Sequence, residues 1–293
     1  MSKIAFIYPG QGAQVCGMGQ DFYEQTEIGK QVFDLATEIL GFSVPELCFT
    51  KNDRLDITEY TQAAMVTTSI AMTKVLEEKG VKPDVAAGLS LGEYCALYAA
   101  GAMTEKDAIA TVRQRGILMQ EAVPVGQGAM AAILAMDASA IEEVISGIDG
   151  VQIANYNCPG QIVISGSVPG IEKACELMKA AGAKRALPLK VGGAFHSPLM
   201  DPAKVELEAA INATEFHTPK CPVYQNVDAL PHTDPQEIKK NLVAQLTASV
   251  RWTQTVKNMV ADGATDFTEC GPGAVLQGLI KKIDSTVSAH GIA

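Results

Sequence analysis

The chain has 293 residues, of which 47% are apolar and 19% charged. These are globular values that exclude disordered and low-complexity architectures, and the length suits one large domain or a domain carrying an insertion. Acidic residues outnumber basic ones 33 to 23, a net charge of −10, which argues against a nucleic-acid or anionic-membrane surface while leaving room for a local basic patch.

Residues 3–8 form a short apolar run, as a strand buried on both faces would, and Pro9-Gly10 stops it. The run is too short for a signal segment or a membrane span, so a soluble, cytoplasmic protein is expected. A helical stretch follows around Phe22 to Leu40, and a second helix is predicted from about Thr58 to Lys79. Asp56, three residues before Glu59, reads as its capping box, and Gly80 with Pro83 as its stop. Asp84 to Gly88 reads as a strand, Leu91 to Ala100 and Thr104 to Ala122 as helices. This alternation predicts an α/β fold with an open parallel sheet.

The middle of the chain changes character. Ala129–Ala135, Val151–Asn155, Gln161–Ser165 and Lys184–Leu189 read as strands, with helices at Ala138–Ser146 and Pro169–Ala181. That order, β-α-β-β-α-β, is the ferredoxin-like pattern. Gly126-Gln127-Gly128 and Gly192-Gly193 read as flexible joins around it. The expected organisation is a large α/β-hydrolase-like catalytic domain, residues 1–125 plus 193–293, with a ferredoxin-like small domain at 126–192. Seven cysteines, an odd count without C-x-x-C spacing, read as reduced core thiols.

The strongest local motif is Gly88-Leu89-Ser90-Leu91-Gly92, a G-x-S-x-G between a predicted strand and helix. A nucleophile elbow needs small residues on either side of the serine, and the helix after it aims its N-terminus at developing negative charge. A serine nucleophile needs a base. Of His196, His217, His232 and His290, the last sits where chain ends fray and the middle two read as solvated loop residues. His196, in a loop between a predicted strand and helix, is the favoured base. No acid suits a triad: Asp137 reads as a helix cap, so a backbone or amide carbonyl is left to orient the histidine. No Walker loop or zinc spacing occurs, and no cofactor or metal is implied.

Beyond the elbow, Pro9-Gly10-Gln11-Gly12-Ala13-Gln14, Glu93-Tyr94, Arg115-Gly116-x-x-Met119-Gln120, Asn155-Tyr156-Asn157-x-Pro159-Gly160-Gln161, Ala194-Phe195-His196, Val250-Arg251-Trp252 and Gly271-Pro272-Gly273 stand in order. Over essentially its whole length the chain resembles the malonyl-CoA:acyl carrier protein transacylases of fatty acid synthesis and the acyltransferase domains of polyketide synthases. The resemblance implies a Ser90–His196 dyad, with the histidine steadied by the main-chain carbonyl of Gln245. It implies an oxyanion hole from the backbone amides of Gln11 and Leu91. It also implies a bidentate pairing of Arg115 with the malonyl carboxylate. A helical wheel alone places Arg113 and Arg115 equally well, so the choice of Arg115 rests on the resemblance.

Phe195 is similar to the phenylalanine that accompanies preference for malonyl over methylmalonyl units in polyketide acyltransferases; a core aromatic beside the loop is the other reading. The implied partners are malonyl-CoA and holo acyl carrier protein, whose phosphopantetheine arrives with the partner, with no nucleic acid and no membrane. Carrier proteins are acidic, so Lys184, Arg185 and Lys190 are candidates for a docking patch. Two departures stand out. Leu89 occupies the usual histidine of G-H-S-x-G, and Gly193 stands where polyketide domains have histidine before Ala-Phe-His. The competing readings are a trans-acting polyketide acyltransferase, an acyl hydrolase that clears carrier-bound chains, and a non-catalytic docking module.

Overall fold

The computed structural model describes residues 2–124, 126–189 and 191–292. The chain begins with β1 (Lys3–Tyr8), whose alternate side chains enter two different cores. Phe6 and Tyr8 join the larger cluster under the helices, while Ala5 and Ile7 join a second cluster with Trp252 and Phe267. A strand with period-2 side chains and cover on both faces must be apolar throughout, which is why this run does not alternate.

Two short helices follow where one was expected: α1 (Gln20–Gln25) and α2 (Glu27–Leu40). Thr26 separates them with an extended backbone, its hydroxyl donating to Phe22 O at 2.7 Å and accepting from Gly29 N at 3.0 Å. One side chain thus ends a helix and caps the next. α3 (Val44–Phe49), capped by Ser43 with Pro45 in its first turn, was not anticipated. α4 (Thr58–Glu78) begins at Ile57 without a side-chain cap. Asp56, expected there as a capping box, instead accepts from Gln14 Nε2 at 3.0 Å.

β2 (Val85–Gly88) leads through the serine turn into α5 (Gly92–Ala99), and α6 (Glu105–Glu121) packs along α4. Gly116 permits that approach, since a Cβ there would lie 2.9 Å from Glu59 Cα.

The middle of the chain forms β3 (Gly128–Leu134), α7 (Ala138–Ile145), β4 (Val151–Cys158), β5 (Gln161–Ser167), α8 (Val168–Ala180) and β6 (Arg185–Pro188). Its four strands pair antiparallel in the order β4-β5-β3-β6 and enclose a separate apolar core with the two helices. Asp137 stands at the N-terminal cap of α7, but its side chain makes no capping bond among the described residues.

The chain then returns through α9 (Asp201–Ala213), β7 (Val223–Tyr224), β8 (Pro231–His232), α10 (Pro235–Gln245), α11 (Trp252–Ala261), β9 (Ala264–Glu269), α12 (Val275–Ile283) and β10 (Ser288–Gly291). Among the described residues the large sheet has the order β10-β9-β1-β2-β7-β8. It is parallel except at β8, which runs antiparallel to β7 at the edge. The fold is therefore mixed α/β on a largely parallel sheet.

Backbone contacts join the two sheets. Gly128 is a close-approach position rather than a hinge, since a Cβ there would lie 2.7 Å from Ala194 N. The edge strand β4 is pinned to the segment before α11, with Val250 N donating to Ala154 O at 2.7 Å and Tyr156 N to Val250 O at 2.9 Å. His290 lies in β10, beside Asp266. His232 is not a solvated loop residue either, for Asp228 and Asn241 contact its ring. No described helix is long and apolar enough to cross a membrane.

Candidate active site

Ligand sites in open α/β sheets form outside the carboxyl ends of neighbouring strands. Here β1 and β2 end together, at the paired residues Tyr8 and Gly88. The turn after β2 is dictated sterically: a Cβ on Gly88 would meet Gly92 C at 1.9 Å, and one on Gly92 would meet Tyr8 O at 2.2 Å. Between them Ser90 takes φ 53°, a left-handed conformation that few non-glycine residues adopt. The loop after β1 lies against this turn, since a Cβ on Gly10 would be 2.6 Å from Leu89 O. That contact sets Gln11 on the wall of a cavity of about 150 Å³ that also includes Ser90, Leu91, Arg115, Phe195 and His196. Among the described residues, neither the Gln11 nor the Leu91 backbone N–H donates to a partner.

Ser90 Oγ lies 2.6 Å from His196 Nε2, and His196 Nδ1 lies 2.9 Å from the backbone oxygen of Gln245. A carbonyl can only accept, so Nδ1 carries the proton, Nε2 presents its lone pair, and the serine hydroxyl donates to it. His196 is 3% exposed. Burial, then the nearby Arg115 charge, pushes its pKa down to about 4. The ring is therefore neutral at physiological pH. His196 also has a left-handed backbone, φ 56°, and its carbonyl accepts from Gln152 Nε2 at 2.5 Å.

The structure separates the two arginines that the helical wheel could not. Arg113 turns away, pairing with Glu59 Oε2 at 2.7 Å and stacking over Tyr60. Arg115 enters the site at 1% exposure. Its Nη1 donates to Gln62 Oε1 at 2.8 Å, and its Nη2 to Gln245 Oε1 at 3.0 Å and Ser90 Oγ at 3.2 Å. Its Nε has no partner among the described residues, and no described carboxylate approaches its nitrogens within the 4.0 Å of an ion pair. Burial lowers its pKa from the ordinary value, while neighbouring Tyr94 and Glu93 oppose that shift.

Residues that sequence reasoning did not single out complete the site. The side chain of Gln245 donates to Ser90 O at 3.0 Å as well as accepting from Arg115. Asn226, from the segment after β7, accepts from Ser90 N at 2.6 Å and donates to Gly88 O at 2.7 Å. Glu93 is wholly buried; its carboxylate accepts from Asn226 N at 2.7 Å and Gln225 Nε2 at 2.9 Å. Burial raises its pKa to about 7 against the pull of those bonds. No local pattern marks these amides, since their partners lie more than a hundred positions away for Asn226 and Gln225.

Phe195 lines the cavity, and a Cβ on Gly193 would lie 2.8 Å from its ring. A side chain at 193 would therefore press on the edge of that ring. Leu89 lines the same cavity. Lys184 and Arg185 are exposed beside and on the edge strand β6, and Leu189, a little further along, reaches the cavity wall. Lys190, the third basic residue of the expected patch, lies outside the described residues.

Comparison with known proteins gives a consistent result. A family model described as an acyl transferase domain matches residues 5–290. The chain is 50% identical over 289 residues to the malonyl CoA-acyl carrier protein transacylase of Bacillus subtilis strain 168, covering 97% of this chain and 91% of that one. It superposes on an acyl carrier protein S-malonyltransferase from Vibrio cholerae O1 with a TM-score of 0.96 at 43% identity, covering 99% and 97% of the two chains. It also superposes, with a TM-score of 0.97 at 41% identity and 99% and 96% coverage, on a malonyl-transacylase solved with its type II PKS acyl-carrier protein.

Proposed function

The chain belongs to the acyl transferase domain family, and from that membership we infer that it moves a malonyl group from malonyl-CoA to the phosphopantetheine thiol of acyl carrier protein. This reaction supplies extender units for fatty acid biosynthesis. The observation that carries the reading is Arg115, a buried guanidinium beside Ser90 Oγ with amide neighbours and, among the described residues, no carboxylate within ion-pair distance. A desolvated cation is tolerable when an anion completes the site, and malonyl differs from acetyl by one carboxylate.

We assign the steps as follows. Ser90 gives its proton to His196 Nε2 while Oγ attacks the thioester carbon, with the amides of Gln11 and Leu91 facing the oxyanion. The C–S bond breaks, and His196 returns the proton to the departing CoA sulfur. The carrier thiol then gives its proton to Nε2 and attacks the malonyl-serine ester. The C–O bond breaks, and Ser90 recovers the proton. One site serves both substrates in turn, and the scheme calls for no cofactor or metal. The Gln245 carbonyl holds the imidazole in the required tautomer, so no third acid is needed. Arg115 takes the malonyl carboxylate through its planar fork. Phe195 narrows the cavity where an α-substituent would sit.

The antiparallel order β4-β5-β3-β6 with two covering helices supports a ferredoxin-like small lobe at 126–192. We assign 1–125 and 193–293 to an α/β-hydrolase-like large lobe, and the protein to the cytoplasm. Exposed Lys184 and Arg185 lead along β6 toward the cavity, and we assign them to carrier docking. The test of the acyl assignment is a rapid mixing of the protein with malonyl-CoA or acetyl-CoA, read as acyl mass on Ser90. Faster malonyl loading supports it, and equal loading would overturn it.

A further inference from the structure

We propose that Asn226 is a positioning residue for the nucleophile, clamping the turn so that Ser90 keeps its left-handed conformation and the oxyanion falls to Leu91 and Gln11. The inference deepens the acyl-transfer reading and rests on Ser90 being the nucleophile, not on the identity of the acyl group.

Serine at φ 53° is intrinsically disfavoured, so the surroundings must hold it there. The Asn226 amide does this from the end of the neighbouring strand β7. Its Nδ2 donates to Gly88 O at 2.7 Å and its Oδ1 accepts from Ser90 N at 2.6 Å, bracketing the two peptide units around Leu89. Asn226 is itself fixed: its N–H donates to Glu93 Oε2 at 2.7 Å, and its carbonyl accepts from Arg251 N at 3.0 Å. Glu93 sits in the first turn of α5, so a closed ring of bonds straddles the nucleophile and ties the helix after it to the segment after β7. Asn226, Gln225 and Glu93 are all fully buried.

A planar amide supplies a donor and an acceptor in this space whatever the pH, which a carboxyl group does only while protonated. A carboxylate presents two acceptors, and an apolar side chain presents neither. There is also a chemical consequence. With its N–H engaged by Asn226, Ser90 cannot offer that group to an oxyanion, whereas the Leu91 and Gln11 amides have no partner among the described residues. Asn226 therefore sets which donors face the reacting carbonyl.

The test uses a fluorophosphonate probe, which needs the nucleophile, base and oxyanion donors but no malonyl recognition. Rates are read per folded fraction, followed by near-UV circular dichroism. Asn226→Ala should lower both probe labelling and malonyl loading of Ser90 about 100-fold, the scale of a misplaced reacting group, with KM for malonyl-CoA little changed.

Asn226→Asp keeps the shape and decides the matter if the alanine variant does not fold. When protonated it donates to Gly88 O and accepts from Ser90 N; when ionised it sets two acceptors against Gly88 O. Its labelling rate relative to the native protein should therefore rise about tenfold or more as pH falls from about 8 to about 5.5. A purely structural residue would not produce that pH-dependent ratio. Native labelling rates in Asn226→Ala, or a pH-independent Asn226→Asp ratio, would overturn the proposal. Failure of the native protein to accept malonyl while it labels normally would sink the acyl assignment and leave Asn226 to be decided by the probe.

Discussion

Arg115 donates from Nη2 to Ser90 Oγ at 3.2 Å, so the buried cation touches the atom assigned to attack. Gln62 and Gln245 hold the guanidinium through amide oxygens. The nearest buried acid of the network, Glu93, is engaged instead with the N–H groups of Asn226 and Gln225. Neutral acceptors orient Arg115 without cancelling its charge, as the proposed pairing with a substrate carboxylate requires.

Arg115→Ala should therefore cut kcat/KM for malonyl transfer by about 2–5 kcal/mol, roughly 30- to several-thousand-fold, while acetyl transfer is little affected or rises. Arg115→Lys should recover only part, because a point charge does not reproduce the fork. Arg113→Ala, which breaks the pair with Glu59, should leave the malonyl-to-acetyl ratio nearly unchanged. Equal losses for both acyl groups in Arg115→Ala would make that residue structural.

The base must be neutral to accept a proton, and His196 has its pKa pushed down to about 4 by burial first and Arg115 second. Falling pH protonates it only near that value. Loading of Ser90 should thus hold from about pH 8 to about pH 5.5, where an ordinary histidine would be about nine-tenths protonated. Arg115→Ala removes one cause of the depression, so its acid limb in fluorophosphonate labelling should move to higher pH. Half-loss near pH 6.5 in the native protein would contradict the assignment.

Gly116 links packing to selectivity. An added Cβ would press on Glu59 Cα at 2.9 Å and Thr58 O at 3.1 Å, forcing α6 away from α4. Gly116→Ala should lower stability by about 1–3 kcal/mol, read as a drop in Tm. Because Arg115 precedes Gly116, the malonyl-to-acetyl ratio should fall too. An unchanged Tm would show that the helices yield without cost.

Much of this was legible locally. β1, α4 and the strand-turn-helix at Ser90 each carry their own signal, because burial on two faces, helical stop residues and tight glycines act within a few positions. The helix break at Thr26 was missed because its apolar spacing continues across it; the clue was Thr26, an N-capping residue type, directly before Glu27. Asp56 had the spacing of a cap, yet Gln14 from a distant loop claimed it. Arg113 and Arg115 are equivalent on a helical wheel, and only Glu59 and Tyr60 on the facing helix separate them. Asn226, Gln62 and the Gln245 side chain act through partners distant in sequence, so no window of residues could reveal them.

Lys184 and Arg185 are exposed at the start of the small sheet's edge strand, whose far end leads to Leu189 on the cavity wall. Reversing both charges should raise the KM for acyl carrier protein and flatten its salt dependence, with malonyl-CoA kinetics unaltered. An unchanged carrier KM would remove them from the docking surface.

In the proposed mechanism malonyl passes through Ser90 on its way to the carrier. Intact-mass analysis after mixing with malonyl-CoA, and then with holo acyl carrier protein, tests it most directly. The predicted result is a malonyl adduct on Ser90, absent from Ser90→Ala, that disappears as the carrier gains the same mass. Release of free malonate without loading of the carrier, or an undiminished adduct on Ser90→Ala, would contradict it.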